Sequence, residues 1–192
     1  MDINSKYYNE KANDFIENTF NCDMSFQYDF FLKYLKPKSK ILDLGFGSAR
    51  DLIYFKNNGH SVIGIDPTDA FIDNAKRLGL EVYKQAAQEM SFDTTFDAIW
   101  ACASLLHIPS NELSNVFLKC YNALEKNGYM YASFKYGEFE GERNGRIFTD
   151  MTESKLNEYL MNIPFKIIET SITGDVREDR QNELWLNVIL KK

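Results

Sequence analysis

The residues best placed to do chemistry in this sequence stand at the ends of two apolar runs. Asp43-Leu44-Gly45-Phe46-Gly47 closes the run begun by Ile41 and Leu42 and opens a segment of helical pattern. Asp66 closes the second run, Ser61 to Ile65, and lies 19 residues after Gly47. Glycines at a strand-to-helix turn let a ligand approach the backbone, and a helix start offers free N–H groups. A carboxylate at the end of the following strand can accept both hydroxyls of a ribose. The same carboxylate, just before Pro67, can instead cap the next helix; the glycine turn upstream favours ribose. The pattern is a poor dinucleotide fingerprint, because G-x-G-x-x-G wants glycine at position 50, which is Arg50. Asp43, two residues before the first glycine, also sits badly with a pyrophosphate and suits a cationic or amine-bearing ligand.

Such turns need a βαβ frame, and the patterning supplies one. A helix is expected from Ser5 to Thr19, with Tyr8, Ala12, Phe15, Ile16 and Thr19 on one face. A second is expected from Asp23 to Leu35, before Pro37 breaks the pattern. Strand 41–44, helix 49–57, strand 61–65, helix 68–78 and strand 80–84 follow, with Gly59 and Gly79 ending the two helices. A turn at 86–90 and a strand at 96–101 come next. Ser110 then opens a helix with Leu113, Val116, Phe117, Cys120, Tyr121 and Leu124 on one face, stopped by Gly128. Strand 129–134 and helix 152–161 precede two last strands, 165–172 and 184–190. No helix fits between those two, so they read as an antiparallel hairpin. The expected class is α/β: a doubly wound, mostly parallel sheet with an antiparallel C-terminal hairpin. The longest irregular stretch, 135–151, is expected to be a functional loop.

Composition excludes other classes. The 192 residues have 22 Lys+Arg against 28 Asp+Glu, a net charge of −6, which argues against a general nucleic-acid binder. No run has the ~18 apolar residues a membrane helix needs. The start MDINSKYYNEK lacks the apolar core of a secretory signal, and Cys22, Cys102 and Cys120 form no CxxC. A reducing, cytoplasmic setting is expected. His60 and His107 have no metal-ligand spacing to a cysteine or to each other, which argues against a structural zinc.

Taken together, ILDLGFGSAR, VIGIDPT, KQAAQEMSF, FDAIWACASLLHI and LEKNGYMYASF resemble, in order, the motifs of class I S-adenosylmethionine-dependent methyltransferases. YYNEKANDFIENT resembles that family's lid helix, and phrases such as GSARD, GRIFTDM and LWLNV resemble a subgroup of small stand-alone microbial members. The resemblance implies one seven-stranded domain over 1–192: lid helices at 1–36, a cofactor-binding core at 37–134, a substrate loop at 135–151, and a C-terminal helix and hairpin at 152–192. It implies S-adenosylmethionine as cofactor and S-adenosylhomocysteine as product. Carried over by motif, Asp43 lies near the methionine amino group, Gly45 and Gly47 pack on the cofactor, and Asp66 holds the ribose. Pro67, Thr68, Ala87 and Gln88 border the adenine. Ala101 and Leu106 flank the methionine chain, while Tyr8 and Arg50 reach its carboxylate. Ala49 replaces a usual third glycine, and Ala86 stands where an acid is common.

Methyl transfer from a sulfonium is an in-line displacement that needs a base only for some acceptors. His107 is the first candidate base; the alternative is a structural histidine bonded to backbone. Tyr136 is a second catalytic candidate, with Glu138, Arg146 and Asp150 as substrate contacts on the long loop, or else members of a solvated charged loop. Asp175–Arg180 reads as an exposed turn, although Arg177 or Arg180 could bind an anionic substrate. Trp100 reads as core, and Cys102 as a small buried residue. The expected acceptor is a small molecule or short peptide. Rival readings are a nucleic-acid or protein methyltransferase that needs a partner subunit, a non-catalytic cofactor binder and, least favoured, an NAD-type oxidoreductase. Oligomeric state is not legible.

Overall fold

The computed structural model describes residues 3–192. Seven strands form one sheet: β1 (Lys40–Leu44), β2 (Ser61–Asp66), β3 (Val82–Lys84), β4 (Phe96–Ala101), β5 (Leu124–Lys135), β8 (Lys166–Gly174) and β9 (Leu184–Lys191). Their order is β3-β2-β1-β4-β5-β9-β8. The first five run parallel, and β9 lies antiparallel to both β5 and β8. This is the expected doubly wound sheet with its C-terminal hairpin.

Side chains alternate across the sheet, so each central strand feeds two cores. Leu42, Leu44, Ile99 and Ala101 pack on one face with α6 (Ser110–Ala123) and α7 (Glu153–Leu160). Ile41, Ala98 and Trp100 pack on the other with α3 (Ser25–Leu32) and Phe55 of α4 (Arg50–Asn57). Helix α5 (Asp69–Arg77) buries Phe71, Ile72 and Ala75 beside them. No helix among the described residues is long and apolar enough to cross a membrane.

Three expectations are corrected. The single helix over 5–19 is two, α1 (Ile3–Glu10) and α2 (Ala12–Thr19), broken at Lys11. Asn9 binds the Ser5 carbonyl with its amide N–H and accepts the Ala70 N–H, which ties α1 to the start of α5 at that break. Helix α6 ends at Ala123, and β5 begins at once with Leu124, five residues before the expected start. Gly128 lies inside β5, where an added Cβ would sit 2.9 Å from the Asp97 carbonyl oxygen. The 135–151 stretch is not irregular: β6 (Glu140–Arg143) and β7 (Arg146–Thr149) pair antiparallel across Asn144-Gly145. Both turn residues have positive φ, 53° and 75°. Asn-Gly is the strongest two-residue hairpin signal, and it was present in the sequence.

Candidate active site

The carboxyl ends of β1, β2, β4 and β5 open into a cavity of about 500 Å³, roofed by α1 and α2. Sheets of this kind bind ligands at this edge. Its floor is the turn after β1. Gly45 and Gly47 have φ of +75° and +52°, and an added Cβ on Gly45 would lie 2.5 Å from Ser104 Cβ. Ala49, where a third glycine was expected, adopts the same left-handed conformation (φ 66°) and opens α4.

Asp66 reaches this floor from the end of β2. One oxygen accepts the Thr68 N–H at 2.8 Å and the other the Gly47 N–H at 3.1 Å. The capping and ligand-facing readings of this residue are therefore compatible in one geometry. Burial pushes its carboxyl up to about 6, with the two N–H donors opposing the rise. The Thr68 hydroxyl is a third donor to this carboxylate. Pro67, Thr68, Ala87, Gln88 and Leu106 also line the cavity. The Gln88 amide is engaged by Glu112 at 3.0 Å.

Asp43 and Ala101 do not line the cavity. Asp43 is 1% exposed, with Oδ2 unpartnered among the described residues. Burial pushes its carboxyl well up, and the negative charge of Asp51 adds to this. Ala101 is packed inside the core.

Arg50 lines the cavity, and its mount was not anticipated. Its Nε and Nη2 donate to the Asp51 carboxylate at 2.7 and 3.0 Å, and Nη1 donates to the Thr19 carbonyl at 3.1 Å. Asp51 also accepts the Tyr28 hydroxyl at 2.6 Å and the Trp100 indole N–H at 2.9 Å. Burial raises the Asp51 carboxyl, but the Arg50 charge and these donors bring it below its ordinary value. Trp100 is core, as expected, with its N–H spent on this carboxylate.

The lid is held over His107. His107 Nδ1 lies 2.8 Å from the Ile147 carbonyl, which can only accept, so Nδ1 carries the proton in the neutral ring. Nε2 then accepts the Tyr8 hydroxyl at 2.8 Å, and Tyr8 accepts Arg146 Nη1 at 3.2 Å. Asn4 of α1 donates to the His107 carbonyl and accepts the Ile147 N–H. Tyr8, His107 and Arg146 thus meet in one latch that fastens α1 to the β6–β7 hairpin.

The rest of that hairpin region faces elsewhere. Tyr136, Glu138 and Asp150 do not line the cavity: Tyr136 donates to Glu153, Glu138 accepts Thr152, and Asp150 pairs with Arg143 at 2.9 Å. The fold of 135–151 thus turns Tyr136 and Glu138 toward the start of α7 and pairs Asp150 within the hairpin region. The inner end of the cavity is built instead by α3, the ends of β5 and β9, and the β8–β9 turn that had read as exposed. Cys102, Ser133, Trp185, Asn187 and Arg177 line it. Burial and the nearby Asp51 push the Cys102 thiol up to about 12, so it is not a thiolate nucleophile.

Residues 41–128 match a family model described as a methyltransferase domain. Over those residues the chain carries a methyltransferase domain, in agreement with its motifs and its fold. No curated protein matches the chain by sequence. Among solved structures it is similar to Burkholderia thailandensis 1,6-didemethyltoxoflavin-N1-methyltransferase with bound 1,6-didemethyltoxoflavin and S-adenosylhomocysteine. That likeness has a TM-score of 0.80 at 18% identity, over 99% of this chain and 87% of that one. It is also similar to a SAM-dependent methyltransferase of Methanosarcina mazei, with TM-score 0.76 at 22% identity, over 86% and 97%. A [4+2]-cyclase shares the fold too, with TM-score 0.73 at 14% identity, over 98% and 94%, so the fold alone does not name a reaction.

A methyltransferase of this family uses S-adenosylmethionine. The residues present fit that group. Asp66 presents a carboxylate at the cavity wall that a diol can address, and Arg50 presents a cation to the same cavity. Ser104 Oγ is buried, lines the cavity and takes no partner among the described residues.

Proposed function

We propose that this methyltransferase acts on a small molecule held in the inner end of the cavity. The observation that carries this reading is the enclosure. The cavity, about 500 Å³, runs from Gly45–Gly47 to the ends of β5 and β9 under a fastened lid. Small-molecule pockets span about 300–1,000 Å³. A peptide acceptor would have to enter past the same lid.

In this reading Asp66 holds the ribose hydroxyls, and Gly45 and Gly47 allow close backbone contact. Pro67, Thr68, Ala87 and Gln88 border the adenine, Leu106 flanks the methionine chain, and Arg50 pairs with its carboxylate. The cofactor supplies a methyl group on an already activated sulfonium. The protein's part is positioning and exclusion of water, through the lid and the apolar wall of Leu105, Leu106 and Phe148. Asp43 acts from beneath the floor and makes no direct contact. His107 has both ring nitrogens engaged in the latch, which supports a positioning role for it over that of base. Tyr136, Glu138 and Asp150 keep no role in the reaction.

Calorimetry should show S-adenosylhomocysteine binding and no NADH binding; the reverse would sink the reading. A screen of small metabolites with methyl-labelled cofactor should then yield a labelled product. His107→Ala should leave the rate of labelling within a few fold, yet speed dissociation of S-adenosylhomocysteine as the lid loosens. A rate lost with unchanged cofactor kinetics would restore His107 as the base.

A further inference from the structure

Each of the chain's two tryptophans stands behind a carboxylate that holds a cavity-lining arginine. Trp100 Nε1 fixes Asp51, which holds Arg50. Trp185 Nε1 donates to Asp175 Oδ2 at 3.0 Å, and Asp175 holds Arg177: Nε at 2.8 Å on Oδ1 and Nη2 at 2.5 Å on Oδ2. The Arg177 backbone N–H adds a fourth bond to Asp175 at 2.9 Å. The Asp175 side chain is 2% exposed and that of Arg177 is 25% exposed. Arg177 lines the cavity.

This side-on pairing consumes the Nε–Nη2 edge of Arg177 and leaves the Nη1–Nη2 end free, a planar fork shaped for a second carboxylate. The carboxylate behind it has no spare capacity to compete, because its four bonds are filled from its own arginine and Trp185. Other groups at this end are similarly spent or waiting. Lys135 is ion-paired with Glu183, and its ammonium lies 5.1 Å over the Trp185 ring. Asn187 is bonded to Tyr131, Ser171 and Thr173. Gln27 Oε1, buried and lining the cavity, takes no partner among the described residues.

We infer that the Trp185–Asp175–Arg177 clamp is the acceptor's anchoring site and that the acceptor carries a carboxylate. The inference rests on the proposed function above, in which the acceptor occupies the inner end. An arginine held rigidly on one edge loses little entropy when it binds a ligand on the other, so the clamp is built for recognition and not merely for stability. A structural ion pair alone would need neither the indole N–H behind the carboxylate nor an arginine on the cavity wall.

The test loads the protein with S-adenosylhomocysteine and measures binding of matched pairs of small carboxylic acids and their carboxamides, starting with nicotinate and nicotinamide and extending over a ring and chain series. Acids should be bound in preference to their amides. Arg177→Gln should weaken the preferred acid by about 10- to 100-fold, the loss of a charge-assisted bidentate pair. Trp185→Phe, which keeps the ring and removes the N–H, should weaken it by several fold. Neither variant should change the affinity for S-adenosylhomocysteine, which also checks that each has folded. A series in which no acid binds better than its amide, or an acid held equally by Arg177→Gln, overturns the inference. Failure of S-adenosylhomocysteine to bind the unaltered protein would instead overturn the cofactor reading beneath it.

Discussion

Acid should release the cofactor from this enzyme, and Asp66 should be the cause. Its carboxyl is raised by burial to about 6 from an ordinary 3.8. With the folded value above the unfolded one, the ligand-free protein takes up a proton as pH falls through about 6. Its stability therefore rises over the window from about 6 down to 3.8, by about 3 kcal/mol in all, because folding then no longer strands a buried charge. Ribose hydroxyls donating to both oxygens require the charged form, so binding below about pH 6 must expel that proton. Affinity for S-adenosylhomocysteine should be level above about pH 7 and fall toward tenfold per pH unit well below 6. Calorimetry across about pH 5 to 8 reads the affinity. Repeating the acidic measurement in buffers of different ionisation enthalpy reads the proton released. Asp66→Asn should remove the slope and weaken binding by about 1–3 kcal/mol, roughly 5- to 150-fold. Level affinity over the whole range, or a slope that survives in Asp66→Asn, would refute the assignment of the ribose to this carboxylate.

Two further substitutions probe the frame around the site. Asp51→Asn strips the charge from a carboxylate that accepts four bonds and leaves Arg50 buried without its counter-ion. Urea denaturation should show a loss of about 3 kcal/mol, the lower end of the range for a broken buried pair because asparagine keeps one acceptor. Binding of S-adenosylhomocysteine should weaken more than binding of methylthioadenosine, which lacks the carboxylate; an equal loss for both would mean that Asp51 does not act through Arg50. Gly45→Ala combines a φ of +75° with a Cβ 2.5 Å from that of Ser104, whereas Gly59→Ala has a φ of +83° and open space. The first should cost about 2–4 kcal/mol in urea denaturation and the second only the left-handed backbone cost of about 1. Equal costs would show that the β1 turn yields to the clash.

Local patterning was enough for the frame because each element buries a periodic stripe. The offsets along 113–124, the apolar runs at 41–44 and 96–101, and the absence of a crossover before residue 184 sufficed for helix α6, the parallel strands and the hairpin. The glycines and Asp66 were legible as cavity residues for a related reason: a turn of positive φ, and a carboxylate at the next strand end, sit at a fixed spacing in the chain. Boundaries at Lys11 and Ala123 were not legible, since tertiary contacts of Asn9 and of β5 decided them. The Asn144-Gly145 turn was readable and was overlooked. Closed by that turn, the segment directs Glu138 to Thr152 and Asp150 to Arg143, away from the cavity they were expected to line.

What the sequence by itself determined is the order of elements and the motif residues Gly45, Gly47 and Asp66 on the cavity wall. Only the tertiary structure decided which groups line the cavity at the ends of β5 and β9. Trp185 lies 10 residues from Asp175 and Trp100 lies 49 from Asp51, and nothing in either separation marks a partnership. Trp185 meets Asp175 because the β8–β9 register sets Gly174 opposite Leu184, and Trp100 meets Asp51 because α4 packs on the face of β4; a buried carboxylate takes the donors placed beside it.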